Sequence, residues 1–167
     1  YKPFGIAEGP GSPMRRASEM EHVGKIMQIG MRGIGSSQPS DFADARAYGN
    51  TIITSREVRQ KGVDWVVSQI PEAKQYYITF DIDGLDPSIA IGTGSPVPFG
   101  LLYEEASAII EAVANKGEIV GFDQVTCRIN DKFNIPGMNQ VGEKTSVTGS
   151  GAADGTTVNK IYFPYPQ

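Results

Sequence analysis

Apolar and polar positions along the chain predict strands and helices that follow one another in turn. Strands are predicted where β-branched and aromatic residues run together between glycine- and proline-rich breaks, at 25–31, 50–54, 75–80 and 118–123. Helices are predicted at 13–20, 41–47, 55–60, 63–70 and 103–115, with Ser40 as the N-cap of the second. Strands that alternate with helices indicate parallel βαβ units with right-handed crossovers. The pattern therefore predicts an α/β fold with a mainly parallel sheet.

Two of the predicted helices have a continuous apolar face. Apolar residues recur at helical spacing in the first, at Val63, Val66, Val67 and Ile70. They recur in the same way in the second, at Ala106, Ile109, Ile110 and Val113. These faces are expected to pack on the sheet.

The pattern weakens from about Cys127 onward. Residues 128–167 are rich in Gly, Ser, Thr, Asn and Pro and show no clear periodicity, although Ile161-Tyr162-Phe163 could form a short strand. The segment is either extended over the surface or partly disordered, and the sequence does not decide between the two. We predict a partial α/β domain over residues 1–126 and an irregular tail over 127–167.

Composition limits the class of protein. At 167 residues and 40% hydrophobic content, the chain is one domain at most, with enough apolar residues for a core. A net charge of −4 and a pI near 5.0 argue against nucleic acid as a partner. The single cysteine excludes an intramolecular disulfide and fits a reducing, cytoplasmic location. No apolar run approaches the roughly 20 residues of a membrane span, and no signal peptide is visible. The first residue is Tyr1 rather than Met, which is consistent with a cut or partial chain.

The segment from Phe80 to Pro87 carries the main candidate chemistry. Asp81 and Asp83 follow a buried strand, and in an extended chain their side chains would lie on one face, roughly 7 Å apart at the backbone. Ligands bind at the carboxyl ends of strands in α/β sheets, and two carboxylates there suit a hard cation such as Mg²⁺ or Mn²⁺. The alternative is that these aspartates are ordinary turn or cap residues. A carboxylate site for phosphoryl chemistry is also conceivable, but no P-loop accompanies it.

The string from Phe80 to Leu101 resembles the signature of the ureohydrolases, the arginase and agmatinase family. That signature reads, in outline, Ser-Phe-Asp-x-Asp-x-x-Asp-Pro followed by Pro-Gly-Thr-Gly-x-Pro; here Thr79 replaces the serine and Ile91 the proline before Gly92. Segments 11–16, 27–33 and 119–123 also look like agmatinase segments in the right order. The resemblance covers about residues 10–125 and implies part of a three-layer α-β-α, arginase-like fold.

The resemblance also implies a reaction and a set of roles. The family hydrolyses a guanidino compound to urea and an amine at a site with two Mn²⁺ ions. By position, Asp81 matches the aspartate that bridges both metals, and Asp83 matches one that binds a single metal. Asp86 matches a third acid, expected to hold the loop, and Asp123 matches a structural acid at the next strand end.

Other parts of the family's site have no counterpart here. The first metal motif, Asp-Ala-His-x-Asp, and an earlier Gly-Gly-Asp-His would lie before residue 1, and His22, the only histidine, matches no ligand position. Pro10 stands at the proton-shuttle position and Thr126 at that of the guanidinium-binding glutamate. Proline cannot transfer a proton and threonine carries no charge. The isolated chain is therefore expected to be incomplete or inactive as a hydrolase.

Two functions remain open at this point. The first is an agmatinase-like ureohydrolase that acts on a small guanidino substrate. The alternative is a non-catalytic relative that serves as an assembly or interaction subunit. The resemblance implies a homo-oligomer, a trimer or hexamer, in either case.

Overall fold

A computed structural model describes residues 11–33, 38–93, 96–125 and 158–163. The strands are β1 (Val23–Met31), β2 (Thr51–Thr54), β3 (Gln75–Asp81), β4 (Glu118–Val125) and β5 (Val158–Phe163). The helices are α1 (Pro13–Ser18), α2 (Pro39–Ala47), α3 (Ser55–Lys61), α4 (Val63–Gln69) and α5 (Tyr103–Lys116), with a short 3₁₀ helix at Ile82–Gly84. None of these helices is long and apolar enough to cross a membrane.

The five strands form one sheet in the order β2-β1-β5-β3-β4, and every neighbouring pair is parallel. The predicted α/β class and parallel sheet are therefore confirmed. Helix α2 differs in its start: the backbone N–H of Gln38 donates to Asp41 Oδ2 at 2.7 Å, so Gln38 rather than Ser40 precedes the first turn. Pro39 favours this earlier start, because its fixed φ suits the first helical position.

The hydrophobic core lies between one face of the sheet and helices α3, α4 and α5. Its strand residues are Met27, Ile29, Ile53, Tyr76 and Ile78. Its helix residues include Val58, Val66, Ala106, Ile109 and Val113, and Ile70 joins them directly after α4. The two apolar helix faces predicted from periodicity are thus confirmed, with Val63, Val67 and Ile110 half-buried against the same core.

Strand β3 has two unlike faces because successive side chains alternate. Tyr76 and Ile78 lie in the core, whereas Tyr77, Thr79 and Asp81 belong to the opposite face. Thr79 and Asp81 are nevertheless buried. The polar face of β3 therefore ends in a buried carboxylate at the carboxyl edge of the sheet.

Strand β5 confirms the short strand predicted at 161–163 and extends it to Val158. It lies in the middle of the sheet, between β1 and β3. Residues 126–157 and 164–167, which include Thr126 and most of the predicted tail, lie outside the described residues. The division into a domain and a tail therefore stays a prediction.

Candidate metal centre

The backbone changes from strand to a 3₁₀ turn at the end of β3, and Asp81 and Asp83 lie at this change. Asp81 is the last strand residue, and its Oδ1 accepts a hydrogen bond from the backbone N–H of Asp83 at 3.1 Å. Residues Ile82–Gly84 then form the 3₁₀ helix. The expectation of an extended chain through Asp83 is corrected here: the strand ends at Asp81 and a capped turn follows it, because Asp81 satisfies the first free N–H of that turn.

Both carboxylates are withdrawn from solvent. Asp81 is 0% exposed and Asp83 is 1% exposed. Burial raises the pKa of Asp81 to about 7, and the carboxylates of Asp83 and Asp123 add to the rise. The hydrogen bond from Asp83 N–H and the charge of Arg32 act in the opposite direction but do not cancel it.

One oxygen of the pair is available for a ligand. Within the part of the chain that the structure describes, Asp81 Oδ2 is buried and has no hydrogen-bond partner. A buried acceptor of this kind is costly unless something satisfies it. A divalent cation would satisfy it, and carboxylate oxygens are the donors that Mn²⁺ and Mg²⁺ accept. The residues present therefore fit a metal ion, although they supply only part of its coordination.

Among the described residues, Arg32 supplies the positive charge that acts to lower the pKa of Asp81. It follows β1 directly, is half-buried, and gives its hydrogen bonds to backbone carbonyls rather than to the carboxylates. Burial lowers the pKa of Arg32, while the charges of Asp86, Asp83 and Asp81 raise it. Sequence reasoning did not single out Arg32, although a charged residue immediately after a buried strand and before Gly33 is a readable signal.

Asp86 holds the loop, as the resemblance implied. Its Oδ2 accepts the backbone N–H groups of Phe99 at 2.9 Å and Gly100 at 3.1 Å, and its Oδ1 accepts that of Ser88 at 3.0 Å. Hydrogen bonds from Ser88, and then from Gly100 and Phe99, hold the pKa of Asp86 below its ordinary value. The carboxylate is thus committed to the two ends of the loop rather than to a metal.

Asp123 is likewise a structural acid. Its Oδ1 accepts a hydrogen bond from Thr79 Oγ1 at 2.6 Å, directly across the β3–β4 pairing. Burial and the neighbouring Asp123 carboxylate raise the pKa of Tyr77 to about 12. Threonine therefore supplies the hydroxyl at the position where the family motif has serine.

The described residues do not complete a metal site. Across residues 11–33, 38–93 and 96–125, no group of three or more His, Cys, Asp and Glu side chains is placed to hold a metal ion. His22, the single histidine of the sequence, is exposed on the surface. Pro10 and Thr126, the two positions predicted to lack catalytic groups, lie outside the described residues.

Comparison with known proteins agrees with this architecture. The family model described as "Arginase family" matches residues 6–134. Proclavaminate amidinohydrolase of Streptomyces clavuligerus is 34% identical over 118 residues, 68% of this chain and 37% of the relative. Agmatinase of Proteus mirabilis is 42% identical over 80 residues, 46% of this chain and 26% of the relative.

A solved structure shows that the similarity also holds for the fold. The agmatine ureohydrolase of Thermoplasma volcanium superposes with a TM-score of 0.60 at 28% identity, covering 73% of this chain and 42% of that one. The parallel sheet, the acid pair at the end of β3 and the family match together define one class: the chain belongs to the arginase family. It spans little more than a third of the length of the first curated relatives that it matches.

Proposed function

We propose that this chain is part of an agmatinase-like ureohydrolase, which hydrolyses a linear guanidino compound to urea and an amine at a di-manganese site. The observation that carries the proposal is the buried pair Asp81 and Asp83 at the carboxyl end of β3, with Asp81 Oδ2 available. The names of its relatives support the substrate class, since they include an agmatinase and an N(1)-aminopropylagmatine ureohydrolase.

In this proposal, Asp81 and Asp83 would hold the metal through carboxylate oxygens. Mn²⁺ held there would lower the pKa of a water molecule and so supply a nucleophile at neutral pH. Hydrolysis of a guanidino compound adds water to the guanidinium carbon, breaks a carbon–nitrogen bond, and requires a proton for the departing amine. Asp86 and Asp123 contribute by fixing the loop and the adjacent strand rather than by contacting substrate.

The remaining metal ligands, the proton shuttle and the guanidinium-binding acid are not identified among the residues that the structure describes, and we propose that a part of the enzyme outside them supplies these groups. We therefore expect the chain by itself to bind manganese weakly and to release no urea. The proposed setting is cytoplasmic, in keeping with a sequence that has a single cysteine.

Manganese binding tests the proposal most directly. Mn²⁺ titrated into the metal-free chain, with free Mn²⁺ followed by electron paramagnetic resonance, should show binding that Asp81→Asn and Asp83→Asn abolish. Asp64→Asn, at an exposed carboxylate, is the matched control and should bind as the parent does. A parent chain that binds no manganese, or an Asp81→Asn variant that binds as well as the parent, would overturn the proposal.

A urea assay with agmatine and related guanidino compounds tests completeness. No urea is expected from the isolated chain. Urea release that Asp81→Asn abolishes would support ureohydrolase activity, and it would contradict the inference that essential parts lie elsewhere.

A second candidate function is assembly, supported by exposed apolar side chains on the loop after β3 and at the start of α5. These are Ile89, Ile91, Phe99, Leu102 and Tyr103. Exposed apolar area of this kind is typical of interfaces between subunits. We propose a homo-oligomer, and light scattering should show that Ile91→Lys with Tyr103→Lys weakens association. Asp81→Ala and Asp83→Ala should leave association unchanged; its loss in either would count against assembly as an independent role.

A further inference from the structure

We propose that Arg32 positions the proposed metal ligands: its guanidinium holds the turn after β3 in the shape that brings the carboxylates of Asp81 and Asp83 together. This inference rests on the proposed function, because the site that is positioned is the proposed manganese site. It concerns a residue that donates its hydrogen bonds to backbone carbonyls rather than to the two carboxylates.

The contacts of Arg32 converge on the turn. Its Nη2 donates to the carbonyl oxygens of Asp83 at 2.6 Å and Leu85 at 3.1 Å, and Nη1 donates to that of Gly84 at 3.3 Å. Nη2 and Nε also donate to the carbonyl of Val97, at 2.8 and 3.1 Å. One guanidinium thus binds three consecutive carbonyls and a fourth from the far end of the loop.

These three carbonyls lie at the end of a helical turn, and that of Gly84 also accepts the backbone N–H of Leu101 at 3.0 Å. The last carbonyls of a helix have no partner within the helix, and a cation at that end is favourable. Three successive carbonyls reach one guanidinium only while the backbone keeps its 3₁₀ geometry. Loss of the guanidinium would let them rotate toward water, and the turn would lose that geometry.

A change in the turn reaches the carboxylates through one hydrogen bond. The N–H of Asp83 is bound to Asp81 Oδ1, so the backbone of one ligand fixes the side chain of the other. If the turn opens, this bond lengthens and Asp81 gains rotamer freedom. The two carboxylates would then no longer be preorganised for one ion.

Charge and geometry predict opposite effects, which makes the inference testable. Arg32 is a positive charge close to Asp81, Asp83 and Asp86, so its removal should strengthen the binding of a cation by Coulomb attraction alone. Loss of positioning should weaken binding. Lysine retains the charge but lacks the planar fork that binds several carbonyls at once.

The experiment uses Arg32→Met and Arg32→Lys, with Arg56→Met at an exposed arginine as the matched control. Mn²⁺ affinity is measured from the electron paramagnetic resonance of the free ion. Hydrogen exchange across residues 82–101 is measured separately without metal. Arg32→Met should bind Mn²⁺ about 10- to 100-fold more weakly, as for other residues that orient metal ligands. Arg32→Lys should also bind more weakly than the parent, and Arg56→Met should match the parent.

Hydrogen exchange separates failure of this inference from failure of the proposed function. Faster exchange at 82–101 with weaker Mn²⁺ binding supports positioning. Unchanged or tighter Mn²⁺ binding in Arg32→Met overturns it, and so does unchanged exchange in the folded variant. A parent chain that binds no Mn²⁺ overturns the proposed function and the positioning role with it, whereas the exchange rates still show whether Arg32 holds the turn.

Discussion

The two oxygens of the Asp81 carboxylate have separate tasks. Oδ1 caps the turn through the N–H of Asp83, and Oδ2 is buried with no hydrogen-bond partner among the described residues. The turn-residue interpretation and the metal-ligand interpretation of this aspartate are therefore compatible. A single side chain both shapes the site and leaves a donor oxygen for an ion.

The buried charge of Asp81 predicts that the metal-free protein loses stability as pH rises. The pKa of Asp81 is about 7 in the fold, against an ordinary value of 3.8. Its contribution to stability is complete below about pH 4 and is lost as pH rises through 7, by an amount on the order of 4 kcal/mol. Asp81→Asn keeps the capping oxygen and removes the charge. It should therefore be more stable than the parent at pH 8 in chelator.

Urea denaturation of both proteins at pH 5, 6.5 and 8 measures this difference. The difference in unfolding free energy between Asp81→Asn and the parent should grow with pH. Taking this difference cancels the effect of the other titrating groups, which both proteins share. Glu111→Gln, at an exposed carboxylate on α5, controls for loss of one charge and should follow the parent curve. A difference that does not change with pH would show that the fold does not raise the pKa of Asp81.

At the level of elements, backbone hydrogen bonds join the two ends of the loop that follows β3. Asp86 N–H donates to Leu101 at 2.9 Å, and Leu101 N–H donates to Gly84 at 3.0 Å. Gly100 lies at the crossing point: a Cβ atom there would be 2.3 Å from the carbonyl carbon of Leu85. The two ends of the loop approach this closely because residue 100 has no side chain.

Gly100→Ala should therefore be strongly destabilising and should open the loop. The added carbon meets backbone atoms of Leu85 and Asp86 rather than a flexible side chain, so the two ends of the loop must move apart. We expect a loss of at least about 3 kcal/mol of unfolding free energy, at the upper end for single substitutions. Thermal or urea denaturation measures it.

Gly62→Ala is the matched control. Gly62 has a φ of 82°, but a Cβ there meets nothing within 4 Å. Its cost is the backbone strain alone, about 1–2 kcal/mol. Equal costs for the two variants would show that the close approach at Gly100 is unimportant.

Local periodicity was sufficient for most elements but not for the site. The faces around Val66 and Ile109 were predictable because helical spacing alone reports which side is buried. The 3₁₀ turn at Ile82–Gly84 was not, because Asp81 interrupts the strand through a side-chain hydrogen bond that alternation does not encode. Arg32 was missed because its partners lie more than 50 positions away in sequence. The central place of β5 is likewise a non-local pairing.

For the whole molecule, folding and the binding of the proposed metal ion are linked equilibria. An ion that binds only the folded chain stabilises it by mass action. Protons would compete with the proposed ion at Asp81, since the pKa of that carboxyl is about 7.

Saturating Mn²⁺ should therefore raise the melting temperature at pH 8 and have little effect at pH 5.5. Differential scanning fluorimetry with and without Mn²⁺ measures this, and Asp81→Asn should show no manganese effect at either pH. Equal stabilisation at both pH values would place the bound ion away from Asp81.

The place of β5 also has a consequence for the order of events during folding. β1–β2 and β3–β4 can each pair as their residues leave the ribosome, but the strand that joins them is the last of the five in sequence. Until residues 158–163 arrive, β1 and β3 each have an open edge, and such edges pair readily with other chains. The joining contacts also span a long stretch of sequence, which slows their formation. The later the final strand appears during synthesis, the longer these two edges stay open.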